Sequence, residues 1–459
     1  MVRISDLLNI ARRGLQAQGH ALQVTSHNIA NVNTEGYSRQ RVTLTPSTPV
    51  RTPVGMLGTG VEVSQVERLR ESFYDWQLRF EYHELGRWQE RANALGEIEG
   101  LLNEPSEYGL AATLQGFWDS WQTLANNPQE SSARQEVRYW GQRLVAAFNG
   151  LDLGLTRVQQ GLDEQVGLLI NQINELGRQI AALNVQISQA EASGVQANDF
   201  RDRRDLLLNE LSRLADIQVI EMSSGMVNIT VGGETLVAGD KVRTIQVTST
   251  TVQGIVVHSP RWGVNGREVV IRGGRVGGML EMINDLIPQY RTRLDTLAAA
   301  VATEVNRLHQ HGYAPDGSSG MPFFDPDTSG AGDIALHPAV INSLNAIAAS
   351  QDGTGANGDI ALEISRLKDE PCISNASESI NSFFRRTIAA LGLDVQAATS
   401  TVDDITQFVQ QLENRQESVS GVSLDEEMAN LIAFQRAYQA SAQVVNVVDE
   451  LMQTVLQMI

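Results

Sequence analysis

Residues 423–459 read SLDEEMANLIAFQRAYQASAQVVNVVDELMQTVLQMI, and the fold turns on how this stretch is read. Phe434, Tyr438, Val445, Val448, Met452, Val455 and Ile459 recur along it, and Ser441 fills the one polar slot. The spacing alternates four and three, the heptad seam by which a helix keeps one edge on a partner helix. Ser423 and Glu426 form an S-x-x-E pattern, predicting a capping box that satisfies two orphan backbone donors. The opposite end of the chain, Val2 to Val32, carries a matching seam: Ile4, Leu8, Ala11, Leu15, Gln18, Leu22, Thr25, Ile29 and Val32. At 1.5 Å per residue each helix is about 50 Å long.

The outer faces are unusual. No Asp, Glu, Lys or Arg occurs from Gly14 to Thr34, from Ala437 to Val448, or from Leu451 to Ile459. A solvated helix ordinarily shows charged pairs on its exposed face. A polar but uncharged face can hydrogen-bond and still be buried at modest cost. Both helices are therefore expected to be surrounded by protein, pairing with each other and packing among copies. The plain alternative is an intramolecular coiled coil with an ordinary exterior. Gly14 and Gly19 each cost a helix interior about 1 kcal/mol relative to Ala. Isolated helices of this composition are marginal, so the ends of the free monomer are expected to be loosely ordered.

A chain of 459 residues has room for two or three domains. Its net charge of −19 and pI near 4.8 argue against nucleic acid and anionic membranes as partners. The lone cysteine, Cys372, excludes an internal disulfide and a multi-cysteine metal site. The N-terminus lacks an apolar leader with a small-residue cleavage site. No apolar run of about 18 residues suits a membrane span. Taken alone, these features point to the cytoplasm.

Along the chain, the Asn- and Gly-rich stretch Asn28 to Gly36 ends the first helix. Alternation from Tyr37 to Leu44 predicts a strand, Pro46 to Gly60 a loop, and Val61 and Val63 a return strand. Residues 68–213 read as helical nearly throughout. Trp76, Phe80, Trp88, Leu95, Ile98 and Leu102 mark one side of a long helix, and Phe117, Trp118, Trp121 and Leu124 an aromatic core. A second heptad run goes Val166, Leu169, Ile173, Leu176, Ile180, Leu183, Ile187, Ala190. Asp199–Arg203 and Arg201–Asp205 are spaced as ion pairs of a helix start. From Ile217 to Ile271 the period falls to two, with strands at 227–231, 244–247, 254–257 and 269–271. A helix follows from Met279 to His309. Residues 312–358 read as a surface-facing loop segment, and two helices, 381–391 and 397–419, lead back to the terminal helix.

No stretch carries catalytic chemistry. Gly273 to Gly278 is not a dinucleotide loop and lacks the acidic residue that would follow it. Asp325, Asp327 and Ser329 begin like a calcium loop, but Leu336 stands where a bidentate Glu is required. His309 and His311 form H-x-H without a further placed ligand, so packing histidines are expected. Nucleophile-elbow, zincin and paired-carboxylate patterns are absent.

Three stretches together resemble the bacterial flagellar hook-associated protein 1 family, the first junction protein between hook and filament. Asn28-Ile29-Ala30-Asn31 through Thr34-Glu35-Gly36-Tyr37-Ser38-Arg39-Gln40 is similar to the N-terminal motif of rod, hook and junction proteins. Its Ser-Arg-Gln extension points to the junction protein, although Glu35 stands where proline is usual. Asn198-Asp199 through Asp202-Arg203-Arg204-Asp205 resembles an internal motif of the family, and Ser423 through Ala442 its C-terminal signature. The likeness covers about residues 1–310 and 395–459; a large outer domain is expected to be reduced.

The resemblance implies a non-enzymatic, secreted protein of the extracellular flagellum at the hook–filament junction. It implies export through the flagellar type III apparatus without a cleaved leader, reversing the cytoplasmic expectation. The implied partners are the chain itself in a ring, the hook protein, the second junction protein and an export chaperone; no nucleic acid, membrane insertion or cofactor is implied. The expected fold is mainly α: long terminal helices forming a coiled coil, a helical-bundle middle domain and a small β insert. The expected division is 1–67 with 395–459 as a terminal coiled-coil domain with extended hairpin, 68–216 with 272–394 as the helical domain, and 217–271 as the β subdomain. Subunit-packing candidates are Leu15, Leu22, Asn28, Ile29, Asn31, Gly36, Tyr37, Phe434, Tyr438, Val445, Val448 and Met452. Chaperone-binding candidates are Val445, Val448, Met452, Val455 and Ile459, the seam that lies unpaired before assembly. From the residues alone, a cytoplasmic coiled-coil scaffold binding partner helices is the second reading. A second ring protein, hook or rod component is the third, against which the Asn198–Asp205 block stands.

Overall fold

The computed structural model describes residues 4–52, 55–373 and 376–457. The chain opens with helix α1 (Ile4–Ala30), followed by strands β1 (Gln40–Pro46), β2 (Val50–Thr52), β3 (Gly55–Leu57) and β4 (Val61–Arg68). Helices α2 (Ser72–Leu102), α3 (Leu110–Asn126), α4 (Ser131–Glu191) and α5 (Asn198–Leu214) come next. Strands β5 (Ile217–Glu221), β6 (Val227–Val231), β7 (Glu234–Ala238), β8 (Lys241–Val242), β9 (Ile245–Val252) and β10 (Ile255–Trp262) form the insert. Helices α6 (Gly274–Glu281), α7 (Ile287–His311), α8 (Pro338–Asn342) and α9 (Asp359–Arg366) lead to strands β11 (Pro371–Ile373) and β12 (Glu378–Ser379). Helices α10 (Ile380–Ser420) and α11 (Leu424–Gln457) close the chain. The architecture is mainly α, as the periodicities predict.

α1 and α11 pack antiparallel. Gly14 of α1 lies against Ser441, where a Cβ would meet Oγ at 3.0 Å. The buried edge of α1 is Ala11, Ala17, Ala21, Thr25 and Asn28. The expected seam is met in part: Ala11 and Thr25 are buried, but Leu15 and Leu22 are only half-buried, and Leu8 is exposed. Small residues let the two backbones approach closely, and the leucines are left flanking that contact. The hairpin β1–β4 pairs antiparallel from Gln40–Arg68 to Pro46–Val61, with an irregularity between Thr43 and Leu44. It lies along α1, where Gly60 reaches the Ile10 backbone.

The middle of the chain has one continuous core. The 61-residue α4, about 90 Å long at 1.5 Å per residue, is its spine. Val166, Leu169, Ile173, Leu176, Ile180, Leu183 and Ile187 are buried along it as the heptad run predicts, while its last position, Ala190, is exposed. β5–β6–β7–β8 form an antiparallel sheet and β9–β10 a hairpin. Val227, Ile229, Val231, Val237 and Trp262 join the same core as the helices. Asn184 on α4 bonds the Val227 and Gly239 carbonyls at 2.9 and 2.8 Å, stitching sheet to helix.

Four local expectations are corrected. Residues 269–271 are not a ladder strand; Val269 and Ile271 are buried beside the β insert without strand pairing. Residues 380–420 form one helix rather than two, started by the reciprocal Ser379–Ser382 cap and crossing Gly392 unbroken. Residues 312–358 are loop-rich and only partly surface-facing: 315–321 and 351–356 are exposed, but Phe323 and Phe324 are fully buried, their amides taken by Asn306 at 2.8 Å. On α2, Trp76 and Phe80 are exposed (64% and 47%), while Leu78 and Tyr82 face α10. The aromatic spacing identified the helix but assigned its first two turns to the wrong face.

Candidate assembly interface and its joint

The three sequence motifs meet in one place, where the α1–α11 pair joins α2, α5 and α10. The turn after α1 is set by Gly36, whose φ of +75 is left-handed and whose open side faces Leu206 of α5. Asn28, near the end of α1 and 1% exposed, organises this turn. Its Oδ1 accepts from the Tyr37 hydroxyl at 2.7 Å and the Gln40 amide at 3.0 Å. Its Nδ2 donates to the Gln40 carbonyl at 2.9 Å and to Glu427 at 3.1 Å.

Glu427 stands in the first turn of α11 and is 2% exposed. Arg39 donates Nε to it at 2.8 Å and Nη1 to Glu426 at 2.7 Å. The Arg39 amide donates to the Ser420 carbonyl at the end of α10 at 2.8 Å. One residue thus ties the hairpin to both C-terminal helices. The predicted capping box is half-formed: the Glu426 amide reaches Ser423 Oγ at 3.5 Å, while the Glu426 carboxylate turns to Arg39.

The internal motif forms the other half of the joint. Asp202 accepts from the Ser38 amide at 3.0 Å and its hydroxyl at 2.7 Å. Gln40 donates to Asp199 at 2.7 Å, and Asn198 donates to Gln40 and to the Val66 carbonyl. Arg68 bridges Asp202 and Asp205 at 2.7 and 2.9 Å, Arg70 holds Asp75 at 2.7 Å, and Arg79 reaches Asp205 at 3.3 Å. Burial opposes the charge on Asp205, but Arg70, Arg68 and Arg79 outweigh it and hold its carboxyl below the usual range. Burial, reinforced by Asp199, Asp202 and Glu427, pushes the Tyr37 phenol up, so it stays a donor to Asn28.

The ion pairs expected within the start of α5 are replaced. Arg201 goes to Glu191 and Glu221, and Asp205 to arginines of the hairpin and α2. An i,i+4 spacing permits a local pair, but buried arginines from elsewhere compete for the same carboxylates. Sequence reasoning missed Ser38, Arg39, Gln40, Asp202 and Glu427 as joint residues. Their signal was present as a charge pattern: both outer motifs and the inner one concentrate Arg, Asp, Asn and Glu beside uncharged helices.

Besides the half-buried Leu15 and Leu22, the predicted packing residues divide into three sets. Asn28, Tyr37, Asn31 and Gly36 belong to this intrachain joint; Asn31 bonds His27 and Thr34. Phe434, Val445 and buried Val448 sit on the edge of α11 facing α1, with Ile29 half-buried on α1. Tyr438, Met452 and Val455 are exposed (41%, 46% and 45%). Ile459 lies outside the described residues.

A cleft of about 1140 Å³ opens beside the joint between α2, α5 and the β5–β6 edge, and Arg68 and Asp205 form part of its wall. Arg68, Arg70, Asp75, Arg79 and Asp205 of its lining are engaged with one another in the ion pairs of the joint. Among the described residues no cluster of His, Cys, Asp or Glu has the geometry to hold a metal. None of their helices is long and apolar enough to cross a membrane.

Residues 95–324 match the model of the flagellar hook-associated protein FlgK helical domain. The chain is 32% identical to Flagellar hook-associated protein 1 of Bacillus subtilis, over 98% of this chain and 97% of that one. The chain belongs to the flagellar hook-associated protein 1 family. The protein of that name from Salmonella typhimurium is 30% identical over 99% of this chain and all of its own length. Residues 8–37 match the flagella basal body rod protein model, and 416–458 the C-terminal model of the flagellar basal body rod FlgEFG proteins. The flagellar hook junction protein FlgK from Burkholderia pseudomallei shares the fold, with a TM-score of 0.66 over 75% of this chain at 16% identity. The family is a structural, non-enzymatic component of the flagellum and of motility. The two rod-protein matches fall on the α1 turn and on α11, the segments that close the joint.

Proposed function

We propose that the chain forms the junction ring between hook and filament, leaving the cell through the flagellar type III apparatus and self-assembling through its N- and C-terminal helices. The observation that carries this reading is the joint itself. A helix pair with uncharged outward faces is held in a fixed direction on a large folded body by Asn28, Arg39 and Glu427. A structural connector needs that combination: faces that can be buried against neighbours, and a rigid link that transmits their orientation. Membership of the family supports the same reading.

In this reading residues 1–67 with 395–459 make the terminal domain, 68–216 with 272–394 the helical middle domain, and 217–271 a β subdomain; the boundary at 394–395 falls inside the continuous α10. The partners are further copies of the chain, the hook protein, the second junction protein and an export chaperone. The chaperone takes the α11 residues Val445, Val448, Met452, Val455 and Ile459; the exposure of Met452 and Val455 supports this assignment, and the buried Val448 is reached only when α11 is parted from α1. The test is Val445→Glu, which puts a charge on the α1-facing edge of α11. The variant is expected to be made and exported but absent from hooks, with the middle domain folded. Normal junctions in that strain would refute the proposal.

A further inference from the structure

We propose that the outer ends of α1 and α11 are complementary charged faces through which neighbouring copies meet. The arginine-bearing end of α1 on one copy seats against the carboxylate-bearing end of α11 on the next. The inference rests on assembly through the terminal helices and adds which faces touch and what selects them.

Charges on these two helices are sparse, and α11 carries one in its interior, Arg436, besides the carboxylates of its first turn. Within α1 they are Asp6, Arg12 and Arg13; beyond Arg436, α11 carries only Asp449 and Glu450. On α1 an uncharged stretch, Gly14 to Ala30, lies between these groups and the end of the helix; on α11 the uncharged stretch Ala437 to Val448 lies between Asp449 and Arg436. In the antiparallel pair Gly14 lies opposite Ser441, and Asn28 opposite Glu427. In that register Arg12 and Arg13 are six to seven residues from the level of Asp449, about 10 Å along the axis. That separation is too great for direct pairing within one copy. Asp449 accepts only from Gln453 of its own helix, and Arg12, Arg13 and Glu450 have no ion pair among the described residues.

The sign of each face is set against the molecule as a whole. Residues 1–70 carry eight arginines and four carboxylates in a chain whose net charge is −19. Each charged face is also flanked by uncovered apolar side chains: Leu7, Leu8 and Ile10 on α1 (39%, 39% and 37% exposed), and Met452, Val455 and Leu456 on α11 (46%, 45% and 72%). Apolar surface with charge at its edge is the anatomy of a protein contact. Opposite charges across it fix register and reject wrong partners more than they add affinity. Because the two faces differ, the contact is heterologous. It propagates around a ring or along a helix and does not close as a two-fold dimer. Bringing Arg12 and Arg13 level with Asp449 and Glu450 requires neighbours offset by about 10 Å along the axis.

The test is a charge exchange in a strain lacking the chromosomal copy. One variant carries Arg12→Glu and Arg13→Glu, a second Asp449→Arg and Glu450→Arg, and a third all four changes. The readout is the ratio of hook-bound chain to chain released into the medium, which is independent of how much is exported. Each double reversal is expected to lower the ratio at least tenfold, and the four-fold exchange to restore at least half of it. Double reversals that incorporate like the parent would overturn the proposal. So would double reversals that block incorporation without rescue by the exchange, since the residues would then matter without meeting. Failure of the parent chain to enter the hook fraction would instead overturn the underlying assembly reading.

Discussion

Replacing Arg39 by alanine is the sharpest probe of the joint. Arg39 holds Glu427 through Nε at 2.8 Å and Nη2 at 2.7 Å, and Glu427 is 2% exposed. Without Arg39, the one remaining side-chain donor to that carboxylate among the described residues is Asn28 Nδ2 at 3.1 Å. Removing one partner of a buried pair costs about 3–5 kcal/mol, because the other charge stays buried and uncompensated. The Glu426 contact adds at most about 1 kcal/mol, since that carboxylate is 63% exposed. At 1.4 kcal/mol per factor of ten, the undocked state of the terminal pair rises roughly a hundredfold to several thousandfold. Hydrogen exchange on the purified full-length chain reads this directly in residues 24–31 and 424–434, with α4 as the internal reference. Replacing the pair by methionines, Arg39→Met with Glu427→Met, should recover most of the loss, because apolar substitution of a buried pair is close to neutral. Unchanged exchange in Arg39→Ala would refute the view that this pair fixes the terminal helices.

Three further outcomes are expected. Gly14→Leu cannot fit where even a Cβ meets Ser441 Oγ at 3.0 Å, so it should separate α1 from α11 and abolish hook incorporation while leaving the melting of the middle domain within a degree or two. His309 is fully buried; its Nδ1 donates to the Met321 carbonyl and its Nε2 accepts the Ala348 amide, and burial lowers its pKa to about 4. The unfolded chain takes up this proton near pH 6.5 and the folded chain does not, so stability is complete above that value and falls by about 3 kcal/mol as pH drops to 4; denaturant midpoints of His309→Leu should lose that part of the acid slope. A chain ending at Asn430 should no longer bind its export chaperone in pull-down, whereas a chain retaining all of α11 should.

The helical architecture was legible because it depends on periodicity, which each segment carries by itself. α4 repeats its apolar residues over many turns, and every heptad position from Val166 to Ile187 is buried as expected. What could not be read was which partner each residue meets. The heptad spacing puts Ala11, Leu15, Leu22 and Thr25 on one seam of α1, and of these Ala11 and Thr25 are buried while Leu15 and Leu22 are half-buried. Ala17, Ala21 and Asn28, off that seam, are buried beside them, in keeping with the close approach of the two helices at Gly14. Trp76 and Phe80 follow helical spacing equally well on a buried or an exposed face, and only the position of α10 decides between them. Asn28, Gly36 and Tyr37 stood out as a motif, but their action within one chain depends on Asp202 and Glu427, distant in sequence. The loop segment 312–358 looked exposed because glycine, serine and aspartate dominate it, yet Phe323 and Phe324 anchor it in the core.

The central claim is that this chain stands at the junction of hook and filament. Its most direct test is to shear flagella from cells, separate filament, hook and cytosol, and probe each fraction for the chain, alongside a strain from which it has been deleted. The account predicts the chain in the hook–filament fraction, with the deletion strain bearing hooks without filaments and releasing flagellin into the medium. A chain confined to the cytosol, with filaments forming normally in its absence, would contradict it.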